Sequence, residues 1–99
     1  MLYNRSKKGS LIRKLEHNLT KEYIEELYKS QNCKCAYSGL EFNYDDKKYI
    51  PTLDRIDSSR GYIQGNVAIV MNCINSMKTN LPMDEFKKLV SCVYRTINI

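Results

Sequence analysis

The stretch PTLDRIDSSRGYIQGNVAIVMNCINSMK, Pro51 to Lys78, breaks its apolar runs after a few residues each time. Two aspartates, two arginines, three asparagines, two glycines and a lysine interrupt them. Core segments rarely carry so many polar groups, because each must find a partner inside or stay in water. The pattern allows short strands and an irregular loop. Residues 49–53 read as extended, with Pro51 restricting the run to an edge or a strand start. Residues 58–65 form a loop with glycines at both 61 and 65. Residues 67–70, Val-Ala-Ile-Val, read as the returning strand. A helix follows over about 71–79, buried through Ile74 and Met77.

The flanks are simpler. Thr20 is a good N-cap for a helix over Lys21–Ser30, with Glu22 and Glu25 in its first turns, where negative charge is favourable. Tyr23, Ile24, Leu27 and Tyr28 form its apolar face. Ser38-Gly39 and residues 43–48 are turn-like. Between them, Leu40 and Phe42 alternate with Glu41 as in a short strand. Pro82 opens the last segment. Phe86, Leu89, Val90, Val93, Tyr94 and Ile97 recur at helical spacing, which predicts a helix over Met83–Ile97 whose stripe is core. The class is α+β. The 99 residues read as one domain with a small core, preceded over residues 1–18 by a basic arm. In that arm Leu11, Ile12 and Leu15 sit at helical spacing.

Net charge is +5. Arg5, Lys7, Lys8, Arg13 and Lys14 all precede the first acid, Glu16. A basic arm on a small basic domain suits a phosphate backbone, because each neutralised phosphate releases counterions; a solvated charged tail is the plainer reading. No apolar stretch is long enough to cross a membrane, and the basic N-terminus lacks an apolar signal region. The expected location is cytoplasmic or nuclear in a host cell, or virion-associated, rather than secreted. The four cysteines, Cys33, Cys35, Cys73 and Cys92, have poor spacing for zinc. Reduced thiols are expected, with no structural zinc.

The central stretch carries the chemistry. Phosphodiester hydrolysis needs a cation to stabilise charge on the phosphate and a group to activate water. A hard divalent cation takes oxygen ligands. An aspartate at a strand end and an asparagine on a helix packed beside it can meet at one ion, and Asp54 and Asn75 fit that geometry. Asn66, at the start of the returning strand, can tie the loop through its backbone. Lys78 lies at i+3 from Asn75, on the same face, where it can reach a phosphate.

Asp54-Arg55-Ile56 followed by Asn66, Asn75 and Lys78 resembles the HNH, or ββα-metal, endonuclease motif, with nine residues from Asn66 to Asn75 and three from Asn75 to Lys78. Three further stretches resemble a small phage and viral subgroup of that family: Cys35-Ala36-Tyr37-Ser38-Gly39, the Gly61 to Val67 loop, and Pro82-Met83-Asp84-Glu85-Phe86. The resemblance implies a ββα-metal core flanked by an N-terminal helix and a C-terminal amphipathic helix. It implies Asp54 and Asn75 as ligands of Mg2+ or Mn2+, Asn66 as the loop-orienting residue and Lys78 as a phosphate contact. Each of these residues also has a structural reading: a turn cap, a turn residue, a solvated helix position, a surface lysine.

The chain departs from the family pattern in two ways. Where many members carry a second cysteine pair, this chain has Met71 and Ile74, so apolar packing replaces that zinc knuckle. Where the family has its general-base histidine, this chain has Arg55. Arginine holds its proton near neutral pH and cannot be that base. It can grip a phosphate with two bonds and stabilise developing charge. Water activation then falls to the metal, to Asp57 or to Tyr62. Asp57 could equally cap the turn with Ser58 and Ser59. The one histidine, His17, lies in the arm, far from the motif, and would have to fold over the site to serve.

The resulting expectation is a metal-dependent endonuclease acting on duplex or branched DNA by nicking, with low sequence specificity. Arg5, Lys7, Lys8, Arg13, Lys14, Arg55, Arg60 and Lys78 would hold phosphates, and a homodimer is a further partner option. The first alternative is a nucleic-acid-binding module that has lost the base. The second is an accessory protein docking through the final helix or its eight tyrosines.

Overall fold

The computed structural model describes residues 2–5, 7 and 16–98. Lys8, Arg13 and Lys14, with the arm's Leu11, Ile12 and Leu15, lie outside the described residues. Residues 2–5 are helical. There follow α1 (Lys21–Ser30), a 3-10 turn (Lys47–Tyr49), β1 (Pro51–Arg55), β2 (Val67–Met71), α2 (Asn72–Lys78) and α3 (Met83–Ile97). The class is α+β, and β1, β2 and α2 form a strand–loop–strand–helix unit. Among the described residues no helix is long and apolar enough to cross a membrane.

The two strands pair antiparallel with Leu53 opposite Ile69 and Asp54 opposite Ala68. All five residues of β2 are buried, which is why its sequence is an unbroken apolar run rather than an alternating one. One face of β2 meets Leu19 and Ile24 through Val67 and Ile69. The other meets Cys35 through Ala68 and Val70, and Met71 at the strand end joins that cluster. The far edge of β2 is covered at its middle by a side-chain amide. Gln31, the C-cap of α1, donates from Nε2 to Ile69 O (2.9 Å) and accepts at Oε1 from Ile69 N (3.1 Å).

Local signals account for the helices. Thr20 Oγ1 accepts from Tyr23 N at 3.0 Å and starts α1. Leu40 and Phe42 do not form a strand; that segment keeps a single bridge, Lys34 to Glu41. The 3-10 turn, capped by Asp46, delays β1 to Pro51. The turn segment after α1, residues 31–41, is held by Cys35, whose Sγ accepts from Met71 N at 3.3 Å. Burial pushes the Cys35 thiol up, but hydrogen bonds involving Ser38, Met71 and Tyr37 outweigh it and hold its pKa below the ordinary value.

Two burial expectations are corrected. Met77 is largely exposed, and Lys78 instead is the buried residue of α2. The apolar stripe of α3 is not core: Phe86 alone is buried, while Leu89, Val90, Val93, Tyr94 and Ile97 are exposed. Phe86 packs near the Tyr37 ring, with centroids 6.3 Å apart. Past that contact the helix extends beyond the small two-stranded sheet, and its stripe stays exposed. At 1.5 Å per residue, α3 runs on for roughly 16 Å, and the molecule is drawn out to 44 × 28 × 22 Å.

Candidate functional site

Asp54 is the penultimate residue of β1, and after Arg55 the chain leaves the sheet as a long loop, residues 56–66. The sheet ladder makes one more bond, Ile56 N to Asn66 O at 2.9 Å. The loop is tied from inside by Asn66, which is 6% exposed. Its Oδ1 accepts from Asp57 N (2.9 Å), and its Nδ2 donates to Asp57 O (3.1 Å) and Gly61 O (2.9 Å). One amide therefore fixes both ends of the turn. Arg55 adds a second tie: its Nη1 donates to Ser58 O (2.8 Å) and Arg60 O (3.0 Å), and its guanidinium lies over the Tyr62 ring at 5.6 Å.

The loop is also strapped to the N-terminal segment. His17 and Tyr62 form a parallel bridge, with Asn18 N donating to Tyr62 O (3.1 Å) and Tyr62 N to Glu16 O (2.9 Å). A Cβ at position 61 would collide with the Glu16 carbonyl, so this close approach demands Gly61. His17 is thus much nearer the loop than its place in the sequence suggests. Its ring meets Tyr3 edge-on, and burial and then the Lys7 charge hold its pKa below the ordinary value. It does not line the cavity at Asp54.

That cavity has a volume of about 190 Å³. Asp54, Arg55, Tyr62 and Asn75 share it with Ser58 and Thr79. Asn75 is oriented by β1: its Nδ2 donates to Thr52 Oγ1 (2.9 Å) and Leu53 O (3.2 Å), and no described donor reaches its Oδ1. Thr52 in turn donates to Val70 O at 2.7 Å. Asp54 is 4% exposed. Its Oδ2 accepts from Tyr37 Oη at 2.6 Å and sits 3.1 Å from Lys78 Nζ. Burial, then the Asp54 carboxylate, push the Tyr37 phenol far above its ordinary value, so it stays a donor.

Lys78 departs from its expected place. It is 0% exposed, and its ammonium donates to Arg55 O (3.1 Å) and reaches Asp54 Oδ1 (3.4 Å) as well as Oδ2. The helical offset from Asn75 carries the long side chain beneath β1 rather than out to solvent. Asp57 is exposed and caps its own turn, accepting from Ser59 N (3.0 Å) and Ser59 Oγ (2.6 Å). Those bonds hold its pKa below the ordinary carboxylate value, and it does not line the cavity. Arg60 is exposed. Arg5 borders a neighbouring cavity of about 160 Å³ that shares Leu53 and Tyr62 with the first. Exposed Lys7 is near His17 in charge terms only.

The structure therefore brings together Asp54, Arg55, Tyr62 and Asn75, with Asn66 behind them, and leaves Asp57 and Arg60 outside. Tyr37 and Thr52 are the polar partners that sequence reasoning missed. Their contacts to Asp54 and Asn75 span 17 and 23 positions, and no local pattern announces them. Among the described residues no three His, Cys, Asp or Glu side chains gather to hold a metal. The donors available are the Asp54 carboxylate and the Asn75 amide oxygen. These are hard oxygens, and they fit a Mg2+-like ion that keeps most of its waters, not a closed cage.

No protein-family model matches the chain. It is 32% identical over 91 residues to an uncharacterized protein of Acanthamoeba polyphaga mimivirus, covering 92% of this chain and 16% of that protein. It is 32% identical over 73 residues to an uncharacterized 29.0 kDa protein of Enterobacteria phage T4, covering 74% of this chain and 29% of that one. The chain thus spans less than a third of the length of these curated relatives. Among solved structures it matches the rare-cutting HNH restriction endonuclease PacI, with a TM-score of 0.71 and 20% identity, over 100% of this chain and 80% of that one. The α+β fold described above, with its strand–loop–strand–helix centre, is the fold of that HNH endonuclease.

Proposed function

We propose that the protein is a metal-dependent DNA endonuclease of HNH type that nicks with low sequence specificity, the described residues acting as one HNH-like unit. One observation carries this reading: a carboxylate, an amide oxygen and a guanidinium, from Asp54, Asn75 and Arg55, line a single polar cavity at the end of a ββα unit. The viral and phage sources of its relatives suit a protein that works in the cytoplasm or nucleus of an infected host, or in the virion.

Asp54 and Asn75 would hold the cation, Mg2+ or Mn2+. When bound, it would supply charge stabilisation at the phosphate. Arg55 binds and orients the phosphodiester; with Nη1 committed to the loop, its remaining nitrogens serve the ligand. Arg5, at the adjoining cavity, extends the basic track, and Arg60 and Lys7 add exposed charge. Asn66 keeps the loop in shape. Tyr62 lines the cavity, where its hydroxyl would hydrogen-bond and orient a water; Asp57, bound to Ser59, is turned to another task. No base direction enters from the DNA, since none of these residues forms a recognisable base-edge reader.

A specific observation favours a second reading, a binding module without cleavage: Asp54 is already charge-paired with Lys78, and the family's base position is arginine. Plasmid nicking with Mg2+ or Mn2+ separates the two. The endonuclease reading expects wild type to nick, Asp54→Ala to lose nicking while keeping DNA affinity, and Arg55→Ala to weaken both. Wild-type protein that binds DNA but converts no supercoiled plasmid under either metal would establish the binding module.

A further inference from the structure

We infer that Lys78 is a buried counter-charge for Asp54 that makes cation binding in the cavity conditional on an arriving phosphodiester. The inference rests on the metal-dependent reading above and goes further: it says when the cation binds and which residue sets that order.

The ammonium of Lys78 has no path to solvent. It is 0% exposed and spends its donors on Asp54 and on the Arg55 carbonyl. Tyr37 and Lys78 both engage Asp54 Oδ2, at 2.6 and 3.1 Å, while Oδ1 has only the 3.4 Å contact to Lys78. Asp54 therefore offers the cavity one oxygen, held in place by two partners. The charged groups facing the cavity are Asp54 and Arg55, and Lys78 stands directly behind Asp54. One negative and two positive charges leave the neighbourhood positive by one. Asp57 and Arg60 lie outside the lining and are exposed; the Asp57 charge acts on Arg60 and on Arg55, and the two outer charges are opposite, so together they leave the balance unchanged.

A bare divalent cation entering this space meets a net positive field in a site too buried for salt to screen fully. A phosphodiester on Arg55 brings one negative charge and returns the local sum to zero. Cation and phosphodiester then favour each other, and by linkage each raises the other's affinity by the same factor. Lys78 and Tyr37 are positioning residues in this scheme: they touch Asp54, not the substrate.

The test is Mn2+ binding to the full chain, read by electron paramagnetic resonance of the free ion, alone and with a short oligothymidylate. A neutral methylphosphonate version of the oligomer serves as control, and Mn2+ held by oligomer alone is subtracted. Wild type is expected to bind Mn2+ about tenfold tighter or more with the charged oligomer and no tighter with the neutral one. Lys78→Met and Arg55→Gln are each expected to tighten Mn2+ binding by the oligomer-free protein by a similar factor. Equal wild-type affinity with and without the charged oligomer overturns the inference, as does unchanged oligomer-free affinity in both variants. Where Lys78→Met does not fold, wild type and Arg55→Gln decide. Asp54→Ala separates the two levels: if it binds Mn2+ like wild type, the metal reading itself fails. If it loses Mn2+ while wild type shows no coupling to the oligomer, only the conditional binding fails.

Discussion

The β1–α2 centre and the C-terminal helix place charge and apolar surface in opposite ways. At the centre an aspartate and a lysine are buried, at 4% and 0% exposure. In α3, five large apolar side chains stand in solvent. The difference lies in partners. Asp54 and Lys78 have each other, Tyr37 and a backbone carbonyl, and among the described residues no buried side-chain polar atom lacks a hydrogen bond. The α3 stripe beyond Phe86 has the right pattern but stands largely exposed. Burial follows the available partners, not hydropathy alone.

The sharpest way to break the comparison is to remove one member of the buried pair. Lys78→Ala is expected to cost about 3–5 kcal/mol, because Asp54 is left buried with an uncompensated charge. The double change Asp54→Leu with Lys78→Met should recover most of that loss, since apolar side chains can replace a buried pair. Urea denaturation measures both, and a double variant no more stable than Lys78→Ala would refute this account. On α3, Phe86→Ala is expected to cost about 3 kcal/mol, while Val93→Ala stays within about 0.5 kcal/mol. Equal effects in the same assay would mean that the outer stripe is covered in solution. Asn66→Ala removes three loop bonds and is expected to cost about 2 kcal/mol, with faster hydrogen exchange at the Asp57 amide as its local signature.

The smallest effect is a pH dependence. His17 is held below its ordinary 6.5 in the folded chain, by burial first and Lys7 second. Above 6.5 the ring is neutral in both states and adds no slope. As pH falls through 6.5 the unfolded chain takes the proton first, so stability declines toward acid. Urea midpoints followed from neutral to mildly acidic pH should fall in wild type and fall less in His17→Gln. A nuclear magnetic resonance titration of His17 with a midpoint at or above 6.5 would remove the basis for this slope.

Much of the fold is legible in the sequence, because its signals are local. Thr20 and its first-turn acid announce α1, the apolar run of β2 announces a strand, and the period of α3 announces a helix. The period fixes where an apolar face lies but not whether anything covers it, which is why the α3 stripe reads as core and stands exposed. The site is legible in part. Asp54, Arg55 and Asn75 reach one cavity because strand end, loop and returning helix constrain them. Lys78 misleads because helical spacing gives the direction of its Cα–Cβ bond and not the path of a long side chain. The alternatives open for Asp57 turn on a two-residue hydrogen bond to Ser59, which sequence permits but does not require. Tyr37 and Thr52 depend on strand register and on where the turn segment 31–41 packs, which exist only once the chain has folded.

The amide of Gln31 is, in effect, a peptide group carried on a stalk. Its paired bonds to Ile69 occupy the slot where a third strand would dock. A two-stranded sheet with an open edge is a template for other chains. Here the middle of β2 is already read by a residue from the end of a helix, and Ala36 N takes the same Ile69 carbonyl at 3.0 Å. Whatever joins this protein to its partners must do so without lengthening its sheet on that side.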